Sequence, residues 1–266
     1  MAHKKQHNQI AFAQNFFREP KVVQSLIRAS SIGRSDVVYE IGAGRGIITA
    51  ELAQTAEKVI AIEKDPALVT YLRQRFRDVC NVEIVEGDFL RYRIPEQGYK
   101  IFGNIPFNQT ADIMRKILFD APVPDQAYLV MQKEAAEKFS GSPKETQFSV
   151  LAKPQFQLWI GRYLCRTDFT PVPNVDVVLL HIKKRPFPLV PKEDFYLYRK
   201  FVRYGFNGWK KSLKLTFKPV FTYKQWKHLS KSLCFPLDAT PSELTFEQWL
   251  GLFECFRQRV PDSKQT

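Results

Sequence analysis

The segment Glu40-Ile41-Gly42-Ala43-Gly44-Arg45-Gly46 constrains this chain more than any other. It follows an apolar strand-like run, Val37 to Ile41, and opens a helical pattern over Ile47 to Ala56, where Ile47, Ile48, Leu52 and Ala53 share one face. Glycines in such a turn let the backbone bend sharply and approach a ligand that a Cβ would block. A tight strand-to-helix turn without a ligand has the same composition, so spacing must discriminate. A dinucleotide fingerprint places its third glycine three residues after the second. Here Gly46 follows Gly44 by two, and Ile47 holds the fingerprint position.

The rest of the first part repeats this alternation. Val59 to Glu63, Val82 to Val85, Tyr99 to Phe102 and Ala127 to Met131 read as strands. Pro66 to Phe76, with Leu68, Tyr71 and Leu72 on one side, and Ala111 to Leu118 read as helices. That order predicts an α/β fold, a mostly parallel sheet with helices on both faces. Leu158 to Tyr163 and Val177 to Ile182 read as strands near its far edge. Lys183-Lys184-Arg185-Pro186-Phe187-Pro188 reads as a linker. Helical patterns follow over Phe195 to Tyr204, Trp209 to Thr216, Tyr223 to Ser232 and Thr245 to Arg257. The expected organisation is a sheet domain over residues 1–183 and a small helical domain over 184–266.

Charge separates the two parts. The chain of 266 residues has a formal charge of +13, and Lys184 to Lys231 holds 13 Lys or Arg against Glu193 and Asp194. A net +11 in 48 residues is costly self-repulsion unless an anionic partner offsets it. Cys80, Cys165, Cys234 and Cys255 show no CxxC spacing, so neither a metal site nor a disulfide framework is expected. No window approaches a membrane span and the start has no apolar leader core, which predicts a cytoplasmic location.

Three carboxylates surround the glycine turn in sequence logic. Glu40 precedes it, and a cofactor with a cationic amino-acid portion and no pyrophosphate suits that charge; S-adenosylmethionine is one. Glu63 ends the next strand 21 residues after Gly42, where a Rossmann-type sheet carries its ribose-binding acid. Asp88, in Gly87-Asp88-Phe89, follows the third strand and is placed to accept from the cofactor's adenine amine; Asp is also a routine turn residue. The fourth strand runs into Gly103-Asn104-Ile105-Pro106-Phe107-Asn108. An aromatic amine is a poor nucleophile because its lone pair is delocalised. Two acceptors aimed at its hydrogens favour a pyramidal nitrogen and stabilise charge as a methyl arrives. The Asn104 oxygen and a carbonyl beside Pro106 suit that task. Pro106 stiffens the turn, and Phe107 is suited to stack on an unstacked base. Asn and Pro are routine turn residues as well, so this segment alone does not decide.

Taken in order, Gln14-Asn15-Phe16-Phe17, Glu40 to Gly46, Ala61-Ile62-Glu63, Gly87-Asp88-Phe89, Lys100 to Phe107 and Phe169 to Asp176 resemble the rRNA adenine N6-dimethyltransferases. The resemblance is closest to the Erm macrolide-resistance branch, which modifies 23S rRNA. It covers residues 14 to about 182 and implies a Rossmann-like S-adenosylmethionine-dependent methyltransferase sheet with a small C-terminal helical domain. By resemblance, Asn15, Phe17, Gly42, Glu63, Asp88 and Asn104 surround the cofactor. Asn104 and the Ile105 carbonyl hold the target amine beside Pro106, and Phe107 covers the base. Ile105 favours the Erm branch, since the small-subunit enzymes usually carry leucine there. Ala13 for a usual glycine, and Val177 for a usual serine, are departures from the pattern.

The implied activity is methyl transfer to the N6 of a 23S rRNA adenine, conferring macrolide, lincosamide and streptogramin B resistance, by a monomer. The alternatives are a 16S rRNA dimethyltransferase of small-subunit biogenesis and a non-catalytic nucleic-acid-binding factor on the same fold. The expected RNA surface is Arg199, Lys200, Arg203, Lys210, Lys211, Lys214 and Lys218, interleaved with Tyr198, Tyr204, Trp209 and Phe217, with Lys4, Lys5 and His7 adding phosphate contacts. Phe201, Phe206, Trp226 and Phe253 are expected in the core. No chemistry is assigned to His181 or His228.

Overall fold

A computed structural model describes residues 15–95, 98–120, 122–208 and 210–259. Lys4, Lys5, His7, Ala13, Gln14 and Trp209, named above, lie outside the described residues.

A short strand, β1 (Phe16–Phe17), precedes α1 (Pro20–Arg28). The alternating part follows as β2 (Val37–Ile41), α2 (Ile47–Thr55), β3 (Lys58–Glu63), α3 (Pro66–Arg75), β4 (Val82–Glu86), β5 (Tyr99–Asn104), α4 (Thr110–Phe119) and β6 (Gln126–Gln132). Next come α5 (Lys133–Ser140), α6 (Gln147–Ala152), β7 (Phe156–Leu164), β8 (Phe169–Thr170) and β9 (Val177–Lys184). The helices α7 (Phe195–Asn207), α8 (Leu213–Thr216), α9 (Tyr223–Ser232) and α10 (Phe246–Arg259) complete the described chain. None of these helices is long and apolar enough to cross a membrane.

The seven-stranded sheet runs β4-β3-β2-β5-β6-β9-β7. β2 pairs in parallel with both β3 and β5, and β3 with β4. The chain therefore leaves β2 toward one edge and returns at β5, creating a switch point between the two. Parallel strands are covered on both faces, which explains why Val59 to Ile62 reads as an unbroken apolar run and is wholly buried. Register decides what meets at the open end. Ile41 lies opposite both Ile62 and Gly103, and Glu63 opposite Glu86. The residues just beyond those positions, Gly42, Lys64, Asn104 and Gly87, emerge together at the carboxyl ends of the strands. Open α/β sheets bind ligands there.

Local chemistry sets the helix starts. Asp65 accepts from the Ala67 amide at 2.8 Å ahead of Pro66, and Thr146 with Ser149 forms a reciprocal cap on α6. One expected face is corrected in α3. Val69, Leu72 and Phe76 are the buried residues and Tyr71 is 47% exposed. Leu72 and Phe76 turn inward because Gly46 has no side chain to keep them out: a Cβ on Gly46 would sit 2.8 Å from Leu72 Cδ2 and 2.7 Å from Phe76 Cε2.

The residues divide into two compact units. The first is drawn from Met1–Val123, Tyr128–Gln132 and Tyr163–Val177, the second from Pro124–Ala127, Lys133–Arg162 and Val178–Thr266. That division does not fall at a single position. Helices α5 and α6 belong with α7, where the Tyr198 hydroxyl donates to the Val150 carbonyl at 2.7 Å. The core of the second unit is aromatic. Phe201 packs against Phe217 and Phe256, each at 4.8 Å between ring centroids, with Trp226, Trp249 and Phe253 also buried. Two rings expected on the RNA surface, Tyr198 and Phe217, are therefore core residues, because they lie on the apolar stripe of their helical turns. Phe206, expected in the core, is only half-buried and stacks on Trp249 at 5.1 Å. The helix expected over Trp209 to Thr216 is the single turn α8.

Candidate active site

The strand ends of the first unit open into a pocket holding about 780 Å³ of space not filled by atoms, part of it solvent. Asn15, Gly42, Glu63, Asp88, Asn104, Ile105, Pro106 and Phe107 all line it. Five separate segments thus bring eight sequence-selected residues to one place.

The floor is built around Glu63. Its Oε2 accepts the Gly44 amide at 2.8 Å, and its Oε1 accepts the Lys64 and Asp65 amides at 2.8 and 2.9 Å. These bonds hold the glycine turn against the end of β3. A carboxylate has about four acceptor sites, so roughly one is left, on Oε2. A bidentate grip on two ribose hydroxyls exceeds that capacity; one hydroxyl fits it. Asp88 Oδ1 accepts the Leu90 amide at 2.9 Å, while Oδ2 faces the Lys64 ammonium at 3.6 Å.

The turn itself has φ of +70° at Gly42 and +56° at Gly44. A Cβ on Gly44 would meet Phe16 Cε1 at 2.7 Å, whereas a Cβ on Gly42 would meet nothing within 4 Å. Gly44 is therefore needed for packing, and Gly42 keeps open a space that a side chain would enter. Glu40 does not face this space. It is fully buried, absent from the pocket lining, and its Oε2 accepts the Thr49 hydroxyl at 2.6 Å. Burial, aided by the nearby Glu63 charge and opposed by the Thr49 bond, pushes its carboxyl up to about 8. The expectation that Glu40 supplies a charge to the cofactor is corrected: its place in β2 turns it into the core.

The opposite wall is the segment after β5. The Asn104 Nδ2 donates to the Asn15 carbonyl, which leaves Oδ1 as the amide's acceptor. The Ile105 amide donates to the Val130 carbonyl at 3.1 Å, which pins the turn to β6. Among the described residues, no backbone amide donates to the Ile105 carbonyl. Ile105 is buried and Phe107 half-exposed. Asn15 is itself fixed through β1, which pairs antiparallel with β8, Phe16 opposite Thr170 and Phe17 opposite Phe169. Arg18 reinforces this by donating to the Phe169 carbonyl at 3.0 Å and the Thr170 hydroxyl at 2.6 Å. The Phe169-Thr170 motif thus acts at a distance, as a clamp on the segment that crosses the pocket.

Phe17 is corrected. It is buried against Phe169, with 4.7 Å between centroids, and Phe16 lines the pocket instead. Successive strand residues face opposite ways, and pairing with β8 selects which one faces in. Sequence reasoning also missed Lys64, Gln109 and Ile113 in the lining. Ile113 follows Gln109 at helical spacing, a usable signal; an exposed lysine after a strand gives none.

A twisted sheet with a glycine turn after β2, an acid ending β3 and an Asn-x-Pro-aromatic turn ending β5 defines a Rossmann-like methyltransferase. Comparison with known proteins specifies it further. The family model for ribosomal RNA adenine dimethylase matches residues 5–258. An rRNA methyltransferase of Streptomyces thermotolerans is 33% identical over 242 residues, covering 91% of this chain and 81% of that protein. A ribosomal RNA small subunit methyltransferase A of Thermotoga maritima is 30% identical over 257 residues, covering 94% and 86%. The solved structure of the 23S rRNA methyltransferase ErmE superposes with a TM-score of 0.86 at 28% identity, covering 92% of this chain and 100% of that one. The chain belongs to the ribosomal RNA adenine dimethylase family and is an S-adenosylmethionine-dependent rRNA methyltransferase.

Proposed function

We propose that the chain methylates the N6 amine of an adenine in 23S rRNA and thereby confers macrolide, lincosamide and streptogramin B resistance. The observation that carries this reading is the Asn104 turn: its amide nitrogen is held by Asn15, so that Oδ1 and the Ile105 carbonyl are the acceptors available beside the half-exposed Phe107 ring. The similarity to ErmE and the isoleucine at 105 support 23S over 16S rRNA.

The pocket suits S-adenosylmethionine, because the position of a Gly42 Cβ is open and two carboxylates flank an apolar lining of Ile62, Phe89 and Ile113. Asn15, Phe16, Gly42, Glu63, Asp88 and Asn104 hold it, with Glu63 accepting one ribose hydroxyl. When bound, it supplies a methyl group on a sulfonium sulfur. Asn104 Oδ1 and the Ile105 carbonyl accept the two amine hydrogens, which draws the nitrogen lone pair out of the ring and stabilises the charge that develops there. Phe107 stacks on the flipped adenine. Solvent takes the proton from the methylated nitrogen, so no strong base is required of the chain. The basic helices that follow residue 184, part of the second unit, bind the RNA, and the chain acts as a monomer.

The test is to incubate the purified chain with labelled cofactor and either protein-free 23S rRNA or pre-30S particles, then map modified adenines by primer extension. Methylation of 23S rRNA is expected. Labelling confined to pre-30S particles would assign a small-subunit role, and no labelling with cofactor binding intact would overturn the catalytic reading.

A further inference from the structure

Helix α7 has two faces. Tyr198, Phe201, Val202 and Gly205 are buried, while Tyr196, Lys200, Arg203, Tyr204 and Asn207 are exposed. Lys200, Arg203, Tyr204 and Asn207 join Gly208, Lys210 and Thr216 around a shallow, widely open concavity of about 950 Å³, part of it solvent, within the second unit. It is a built feature. The Tyr204 hydroxyl donates to the Thr216 carbonyl at 3.1 Å, so the phenol end is fixed while the residue stays 47% exposed. A Cβ on Gly208 would lie 2.5 Å from Thr216 Oγ1, so only glycine lets the chain close the rim there. Among the described residues the lining holds three cations and no carboxylate. Some other basic residues of this unit meet acids, as Lys214 meets Asp238 at 2.6 Å, while Lys210 also donates to the Leu215 carbonyl at 3.3 Å.

We propose that this concavity binds one nucleotide of single-stranded RNA, its phosphate among Lys200, Arg203 and Lys210 and its base stacked on Tyr204. Cations alone would suit any polyanion. A fixed, exposed ring beside them selects a ligand that offers a planar face within stacking reach of a phosphate, and an unpaired nucleotide does so while a duplex does not. The inference rests on the RNA-modifying reading above and adds an anchor outside the active site.

The test uses the full chain, a short fluorescent unstructured RNA, a duplex of equal charge, and anisotropy over a salt series. Tyr204→Leu should weaken single-strand binding about 5- to 150-fold, and Tyr204→Phe should retain most of it. Arg203→Gln should lower the slope of log affinity against log salt by about 0.7. Cofactor affinity should be unchanged in every variant, and melting temperature unchanged in Arg203→Gln. Unaltered RNA binding in both Tyr204→Leu and Arg203→Gln overturns the proposal, as does equal loss of duplex and single strand in Tyr204→Leu. Loss of binding to anionic vesicles or an acidic peptide, with RNA binding intact, also overturns it. Should Tyr204→Leu not fold, Arg203→Gln and Lys200→Gln carry the measurement. If 23S rRNA is methylated but these variants bind RNA normally, the anchor alone fails; if no rRNA is methylated but they lose RNA, the catalytic reading alone fails.

Discussion

The side-chain amide of Asn104 is tied to the backbone carbonyl of Asn15, 89 positions earlier in the chain. This one bond sets which end of the amide is an acceptor in the pocket, and it makes catalysis depend on the segment that β8 clamps.

Replacing Asn104 with Ala should therefore reduce single-turnover methylation by about 10²–10³-fold, the usual cost of one preorganised group at a developing charge. Cofactor affinity by calorimetry should change far less. Equal losses in both would mean that Asn104 serves binding only.

Gly42→Ala and Gly44→Ala should separate ligand space from packing space. Both impose a positive φ on alanine, at about 1–2 kcal/mol. Only Gly44→Ala also drives a Cβ into the Phe16 ring. Thermal melts should show Gly44→Ala as the less stable protein, and titration should show Gly42→Ala folded but poor at binding cofactor. A Gly42→Ala variant with normal affinity would remove Gly42 from the cofactor site.

Glu63→Gln keeps the shape but replaces one acceptor oxygen by an NH2 group. Donors on one side, either Gly44 or Lys64 and Asp65, then face another donor. A buried donor without its partner costs about 1–3 kcal/mol. The melting temperature should fall, and S-adenosylhomocysteine should restore less of it than in the parent chain.

The buried Glu40 makes stability depend on pH. Its folded carboxyl is pushed up to about 8 from an ordinary value of 4.5, so the folded state holds a proton that the unfolded state releases. The contribution is full below the unfolded value, declines by at most about 1.4 kcal/mol per pH unit as pH rises through the interval, and is gone above the folded one. Glu40→Gln should flatten this decline and outlast the parent chain at high pH. Parallel melting curves for both proteins from about pH 5 to pH 9 would contradict it.

Sequence legibility followed range. The glycine turn, the helix starts at Asp65 and Thr222, and the alternation of strands and helices all rest on contacts within a few residues, which a linear pattern records. So do Glu63, Asp88 and Asn104, since each ends or follows a strand that the pattern already marks. Glu40 and Phe17 were misread for one reason. A side chain's direction at a strand end depends on which partner the strand finds, and β1 finds its partner more than 150 residues away.

By itself the sequence determined that a sheet would end in a glycine turn, two acids and an Asn-x-Pro-aromatic turn, because backbone sterics and periodicity are local. Tertiary structure alone decided that these ends meet, that Phe16 rather than Phe17 faces the pocket, that Glu63 spends most of its acceptors on the backbone, and that Tyr204 is exposed while Tyr198 and Phe217 are not. Those outcomes depend on strand register and on competition for burial among residues far apart in the chain, and no local pattern encodes either.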